Sequence, residues 1–144
     1  MKAKDYLKQL ELLDIKINQK MQQVSELRQM AQASGAIDYS KDRVQSSPNG
    51  DGLSNAVIRY VALEEEIDRQ IDHFVDMKNL IINQIQGLQN VDHVKLLFKR
   101  YVEFKRLEVI AVEMNYTYQY IRELHGYALA EFQRTYTNLQ RDVL

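Results

Sequence analysis

The chain has 144 residues and carries 19 Lys and Arg against 20 Asp and Glu, a formal net charge of −1 at pH 7. This balance argues against a protein that coats nucleic acid with its whole surface and favours a local contact surface. The absence of cysteine excludes disulfides and thiolate metal sites. Because no apolar run approaches about 20 residues and the N-terminus lacks the apolar core of a secretory signal, we expect a cytoplasmic protein with no membrane span.

The first predicted element is a long amphipathic helix. Apolar residues recur at alternating steps of four and three, and neither Gly nor Pro precedes Gly35, so we expect a helix of about thirty residues that ends at Ser34-Gly35. Lys20 interrupts the apolar stripe at a position where a polar side chain can select register or partner. The stripe consists of Tyr6, Leu10, Leu13, Ile17, Val24, Leu27 and Ala31.

A loop and a second long helix are predicted next. Turn-forming residues predict a loop at about residues 34–53, and the second helix begins at Ser54 or Asn55 and ends near Gly87. Two such helices predict an antiparallel hairpin over residues 1–88, although the stripes could instead form a homodimer interface. The second stripe consists of Val57, Tyr60, Leu63, Ile67, Ile71, Phe74, Ile81, Ile85 and Leu88.

The remaining residues, 90–144, predict a compact helical domain that contains a helix-turn-helix. Ile110 and Ala111 mark the buried face of the first helix of this motif, with Met114 one turn later. Asn115 falls at the turn and readily adopts the left-handed conformation, and Thr117 is a good N-cap for the next helix. Ile121 and Leu124 then return to the core. The whole chain is therefore predicted to be all-α.

A short helix, a tight turn and a second helix is an arrangement that places the second helix in a DNA major groove. Gln side chains can read adenine and Arg side chains can read guanine or hold a phosphate, while Tyr hydroxyls can contact phosphate. The predicted contacts on the second helix are Thr117, Tyr118, Gln119, Arg122 and Glu123. The predicted phosphate anchors before it are Lys99, Arg100, Lys105 and Arg106, for which a solvated face is the alternative.

Residues 96–132 resemble region 4 of bacterial sigma factors. The resemblance depends on a basic-aromatic segment (Leu96 to Tyr101), the helix Glu108 to Met114, the Thr117 start, the Ile121-Arg122 pair and the closing Ala128-Leu129. It implies a DNA-binding domain that acts with RNA polymerase.

Most of the chain is also similar to a family of short phage and prophage proteins of Gram-positive bacteria. The similarity is carried by Val44 to Pro48, by the helix around Leu63 to Asp68 and by the C-terminal domain. This family is related to the RinA and ArpU groups of late-gene transcriptional regulators. The resemblance implies a phage-type transcriptional regulator that binds double-stranded DNA.

The sequence offers no support for catalysis or for a cofactor. No Ser, His and Asp set can be argued to converge, no Gly-rich phosphate loop occurs, and the three His show no metal-ligand spacing. Two further interpretations stay open beside the regulator. One is a small-terminase-like subunit of a phage DNA-packaging ring, and the other is a module that docks on RNA polymerase without touching DNA.

Overall fold

The computed structural model describes residues 1–38 and 49–141, with side chains described for residues 1–32 and 55–141. Within these ranges the chain forms helices and no strand, so the all-α prediction is confirmed. No helix in the described ranges is long and apolar enough to cross a bilayer. The helices are α1 (Ala3–Asp38), α2 (Asn49–Gln86), α3 (Val91–Leu97), a π-helical turn (Phe98–Val102), α4 (Leu107–Met114) and α5 (Tyr118–Thr135).

The ends of the two long helices differ from the prediction. Helix α1 continues through Ser34-Gly35 to Asp38, and α2 begins at Asn49, before the predicted cap. A single helical Gly costs about 1 kcal/mol relative to Ala, and a long helix can tolerate that cost. The rest of the predicted loop, residues 39–48, lies outside the described residues.

The chain divides into two compact units that do not coincide with the predicted domains. One unit combines residues 1–14 with residues 74–144, and the other consists of residues 15–73. Each unit contains part of α1 and part of α2, because the division falls within both long helices. The division at residues 88–90 therefore stays a prediction.

In the first unit, the start of α1 packs against the C-terminal half of α5. The Ala3 backbone N–H donates to Gln133 Oε1 at 2.6 Å, and the Tyr6 and Phe132 ring centroids are 6.1 Å apart. The Tyr6 hydroxyl also donates to Gln84 Oε1 of α2 at 2.8 Å. Full burial of each apolar side chain contributes roughly 1.5–3 kcal/mol. The largest fully buried side chains are Leu7, Leu10, Ile81, Ile85, Leu96, Leu97, Tyr101, Ile110, Ile121 and Phe132.

Among the described side chains of the second unit, those at residues 15–32 and 55–73, the buried apolar ones are Ile17, Val24 and Ile67. Lys20, the residue that interrupts the α1 stripe, places its Nζ 2.5 Å from the Glu66 carboxylate of α2. This ion pair gives the interruption a physical reason, because a lysine at the seam needs an acidic partner. Two predicted stripe residues of the long helices depart from the pattern: Val57 and Ile71 are 36% and 39% exposed.

Candidate nucleic-acid interface

The turn between α4 and α5 has the geometry that its sequence predicts. Asn115 adopts φ 59° and ψ 40°, the left-handed conformation expected of it. The Tyr116 N–H donates to the Ala111 carbonyl at 3.0 Å, and the Asn115 N–H donates to the Val112 carbonyl at 3.2 Å. These two bonds form a Schellman motif, which satisfies carbonyls that the end of α4 would otherwise leave unpaired.

Thr117 begins the second helix, also as predicted. Its backbone is extended and its hydroxyl accepts a hydrogen bond from the Tyr120 N–H at 3.1 Å. Such a cap typically stabilises a helix by about 1 kcal/mol. The left-handed residue and the cap together fix where α5 starts and how it leaves α4.

Helix α5 has one buried face and one face open to solvent. The buried face includes Ile121 and Leu124, as predicted, and continues through Ala128 and Phe132. At 100° per residue, the opposite ridge of the helix falls on positions 119, 123, 126 and 130. The five predicted contact residues on this helix are all exposed: Thr117, Tyr118, Gln119, Arg122 and Glu123.

Two features of this exposed face bear on what can approach it. The Arg122 guanidinium lies 5.7 Å from the centroid of the Tyr118 ring, a cation–π geometry that joins a charge to an aromatic surface. Gly126 has open space where a Cβ would lie, so no internal contact requires a glycine there. A partner surface can therefore approach the α5 backbone closely at this position.

The structure places two of the predicted phosphate anchors in an ion-pair network. Lys105 Nζ lies 2.7 and 2.8 Å from the two Glu113 carboxylate oxygens and 3.0 Å from Glu103, and Lys99 Nζ lies 3.1 Å from Glu113. The hydrogen bonds that Lys105 and Lys99 donate lower the pKa of the Glu113 carboxyl. The bond between Lys105 and Glu113 also raises the pKa of the Lys105 ammonium group. Both lysines are therefore already paired with the protein's own carboxylates.

The other two predicted anchors differ in exposure. Arg100 is half-buried, with its guanidinium 3.9 Å from the Glu11 carboxylate and 5.4 Å from the Tyr101 ring centroid. Arg106 is exposed at the start of α4 and makes no ion pair with the side chains described. The four cations thus do not form one free basic surface.

A part-buried pair beside α5 was not predicted from the sequence. The Tyr101 oxygen lies 2.7 Å from His125 Nε2, and the two rings are stacked with centroids 5.7 Å apart. Burial lowers the pKa of His125 to about 4, aided by the nearby cations of Arg100, Lys4 and Lys8. Burial also raises the pKa of Tyr101 to about 12. The pair is therefore neutral at pH 7, and the tautomer of the imidazole decides which partner donates.

A second missed pair joins α3 to α5. His93 Nδ1 lies 2.6 Å from Glu131 Oε1, and the other Glu131 oxygen accepts from the Gln89 N–H at 3.0 Å. Burial opposes ionisation of Glu131, but the hydrogen bonds from His93 and Gln89 outweigh it and lower the pKa of this carboxyl. The start of α3 is also fixed by Asn90, whose side chain accepts from the Asp92 and His93 N–H groups.

The flank of α5 that faces α3 carries an exposed aromatic patch. The Tyr116 hydroxyl donates to Asp92 at 2.9 Å, and the Tyr116 and Tyr120 ring centroids are 4.7 Å apart. Tyr127 lies two helical turns beyond Tyr120 on the same flank and is 67% exposed, with Glu123 between them. The spacing of these tyrosines was visible in the sequence, but their proximity to Asp92 was not, because it depends on the packing of α3.

No protein-family model, curated protein or solved structure matches this chain. The resemblances to sigma region 4 and to the RinA and ArpU regulators therefore stay predictions. The described side chains contain no group of three or more His, Asp or Glu that could hold a metal ion.

Proposed function

We propose that the protein binds double-stranded DNA through the exposed face of α5 and acts as a transcriptional regulator. The observation that carries this proposal is the exposure of all five contact residues at the start of α5, a helix whose opposite face is buried. The left-handed turn and the threonine cap fit a helix-turn-helix. The predicted helical hairpin of residues 1–88, the phage origin and the action with RNA polymerase belong to the same proposal.

The side chains on this face provide both base and phosphate contacts. Gln119 lies on the outer ridge and can form two hydrogen bonds with adenine, and Arg122 can read guanine. The Tyr118 ring lies beside the Arg122 guanidinium. The Tyr118 hydroxyl can donate a hydrogen bond to a phosphate oxygen. The Glu123 carboxylate can accept a hydrogen bond from the amino group of cytosine. Because the carboxylate is also repelled by the phosphates, this contact would select for cytosine without adding to non-specific affinity.

The proposal is tested by selecting bound sequences from a random duplex pool and measuring affinity for them by fluorescence anisotropy. Arg122→Ala should weaken binding by about 1–3 kcal/mol, which is roughly 5- to 150-fold. Arg134→Ala is the matched control, because Arg134 is also exposed on α5 but lies in its last turn. Failure to enrich any sequence, together with no salt-dependent duplex binding, would refute the proposal.

A second candidate function, docking on a protein, is favoured by the aromatic patch between α3 and α5. Exposed Tyr residues are typical anchors of protein interfaces, and Asp92 and Glu123 beside them suit a partner surface with Lys or Arg side chains. Bacterial RNA polymerase is the partner to test, by interferometry with the purified enzyme. Tyr127→Ala should weaken that interaction without affecting duplex binding if the two surfaces are separate.

The mass of the protein in solution separates these functions from DNA packaging. Light scattering that gives a monomer or dimer favours the regulator, whereas a ring of many subunits favours the packaging subunit. A homodimer would suit a regulator that binds two half-sites on the same DNA duplex.

A further inference from the structure

We infer that Lys4 and Lys8, at the start of α1, are the main phosphate-contacting residues beside the exposed face of α5. This inference rests on the proposed function and changes which residues serve it. Of the four predicted anchors, Lys99 and Lys105 are paired with carboxylates and Arg100 lies 3.9 Å from Glu11. Only Arg106 makes no ion pair with the described side chains, and holding a duplex at α5 needs more positive charge than one arginine supplies.

The packing of α1 brings these lysines to α5. Ala3, the residue before Lys4, donates its backbone N–H to Gln133 at 2.6 Å, and the Gln133 side-chain amide donates to the Met1 carbonyl at 3.4 Å. Tyr6 lies between the two lysines in sequence and packs its ring against Phe132. The first two turns of α1 are therefore fixed alongside α5.

The two lysines point away from the core that fixes them. Lys4 and Lys8 are four residues apart, so they lie on one face of α1 with roughly 5–6 Å between their Cβ atoms. Both are exposed, whereas Leu7 and Leu10 are fully buried. Neither lysine forms an ion pair with the side chains that the structure describes, so both ammonium groups remain available to an anion.

The positive charge of both lysines reaches the flank of α5 that carries Arg122. His125 lies three residues after Arg122 on the same flank, and Lys4 and Lys8 both act on its titration. Arg100 acts on the same imidazole. The acidic groups nearby are Asp5, which is exposed, and Glu11, which lies 3.9 Å from Arg100.

The two flanks of α5 therefore differ in charge. The α1 flank contributes the cations of Lys4, Lys8 and Arg122 against the carboxylate of Asp5. The α3 flank contributes the carboxylates of Asp92 and Glu131 against the cation of Lys95. A duplex that inserts the outer ridge of α5 into its groove would meet cations on the first flank and carboxylates on the second. Lysine is an effective point-charge binder of phosphate, so the strand beside α1 is the one that is held.

The test uses the full chain and the duplex selected for the proposed function. In the variant Lys4→Gln/Lys8→Gln, the slope of log K against log salt should fall by about 1.8, because each lost phosphate contact contributes about 0.9. At 0.1 M salt this corresponds to roughly eightfold weaker binding for each lysine. The control Lys16→Gln/Lys95→Gln removes two exposed lysines from elsewhere in α1 and from α3, and its slope should equal that of the wild-type protein.

The outcomes separate this inference from the proposed function. If Arg122→Ala weakens binding but the Lys4/Lys8 variant has the slope of the control, the inference is overturned and the DNA-binding proposal survives. If the wild-type protein shows no salt-dependent duplex binding, both are overturned. The variant Lys4→Arg/Lys8→Arg keeps the charge and should keep the slope, and loss of binding there would mean that the lysines act through the fold.

Discussion

Lowering the pH from 7 to 5 should destabilise the folded protein through His125. Burial holds the pKa of His125 at about 4 in the folded chain, against an ordinary value of 6.5. The pKa of His125 is lower in the folded chain than in the unfolded chain. The contribution of the neutral imidazole to the free energy of unfolding is therefore fully present above pH 6.5 and is lost as the pH falls toward 4. At pH 5 the imidazole is protonated in the unfolded chain and neutral in the folded one.

The size of the effect follows from these two pKa values. Because the unfolded chain binds the proton more tightly, the free energy of unfolding should fall by about 2 kcal/mol between pH 7 and pH 5 for a fully shielded group. The His125 side chain is only part-buried and is therefore not fully shielded from solvent. Solvent screening therefore reduces the expected loss to roughly 1 kcal/mol.

The assay is urea unfolding of the wild-type protein and of His125→Gln at pH 7 and at pH 5. Glutamine can still form a hydrogen bond with the Tyr101 hydroxyl, as donor or as acceptor, but it does not titrate in this range. Other titrating groups are common to both proteins. Between pH 7 and pH 5 the free energy of unfolding should therefore fall by about 1 kcal/mol more in the wild-type protein than in the variant. Equal losses in the two proteins would refute the reasoning.

Three substitutions test local features. Asn115 adopts φ 59°, a conformation that asparagine tolerates better than alanine because its side chain can hydrogen-bond to the nearby backbone. Asn115→Ala should therefore lower the free energy of unfolding by about 1 kcal/mol and the unfolding midpoint by about 2–4 °C. Asn115→Gly should cost nothing, and an equal loss in both would contradict the left-handed turn. In Gly87→Ala the new methyl group would overlap the Tyr136 hydroxyl, which donates to the Gln84 carbonyl at 2.7 Å. It should cost about 1 kcal/mol, and the cost should vanish on a Tyr136→Phe background. Gly126→Ala should raise stability by about 0.5–1 kcal/mol, since its Cβ meets nothing, and a destabilised variant would show a contact that the structure lacks.

The features that the sequence predicts well are those set by neighbours along the chain. The left-handed Asn115 and the Thr117 cap depend on the conformational preferences of single residues and on bonds to groups at most five positions away. The buried faces of α4 and α5 follow from helical periodicity, as with Ile110 and Ile121. These predictions are confirmed.

Features that depend on contacts between distant segments could not be predicted. The charge of Lys105 is offset by Glu113 because the loop before α4 folds back onto that helix. Phe104 adopts φ 59°, which has no signal in the residue type, because the left-handed conformation favours Gly and Asn. It lies where the Glu103 and Lys105 N–H groups donate to Phe98 and Lys99 carbonyls and close the π-helical turn.

The bond between Ala3 and Gln133 joins residues 130 positions apart, and this separation bears on how the protein is made. The first turns of α1 are synthesised well before α5, which provides their docking site. The apolar side of those turns is therefore exposed to water or held by a chaperone until α5 has been synthesised. Long-range closure of this kind slows folding, so a premature stop before α5 should yield an aggregation-prone product rather than a smaller folded protein.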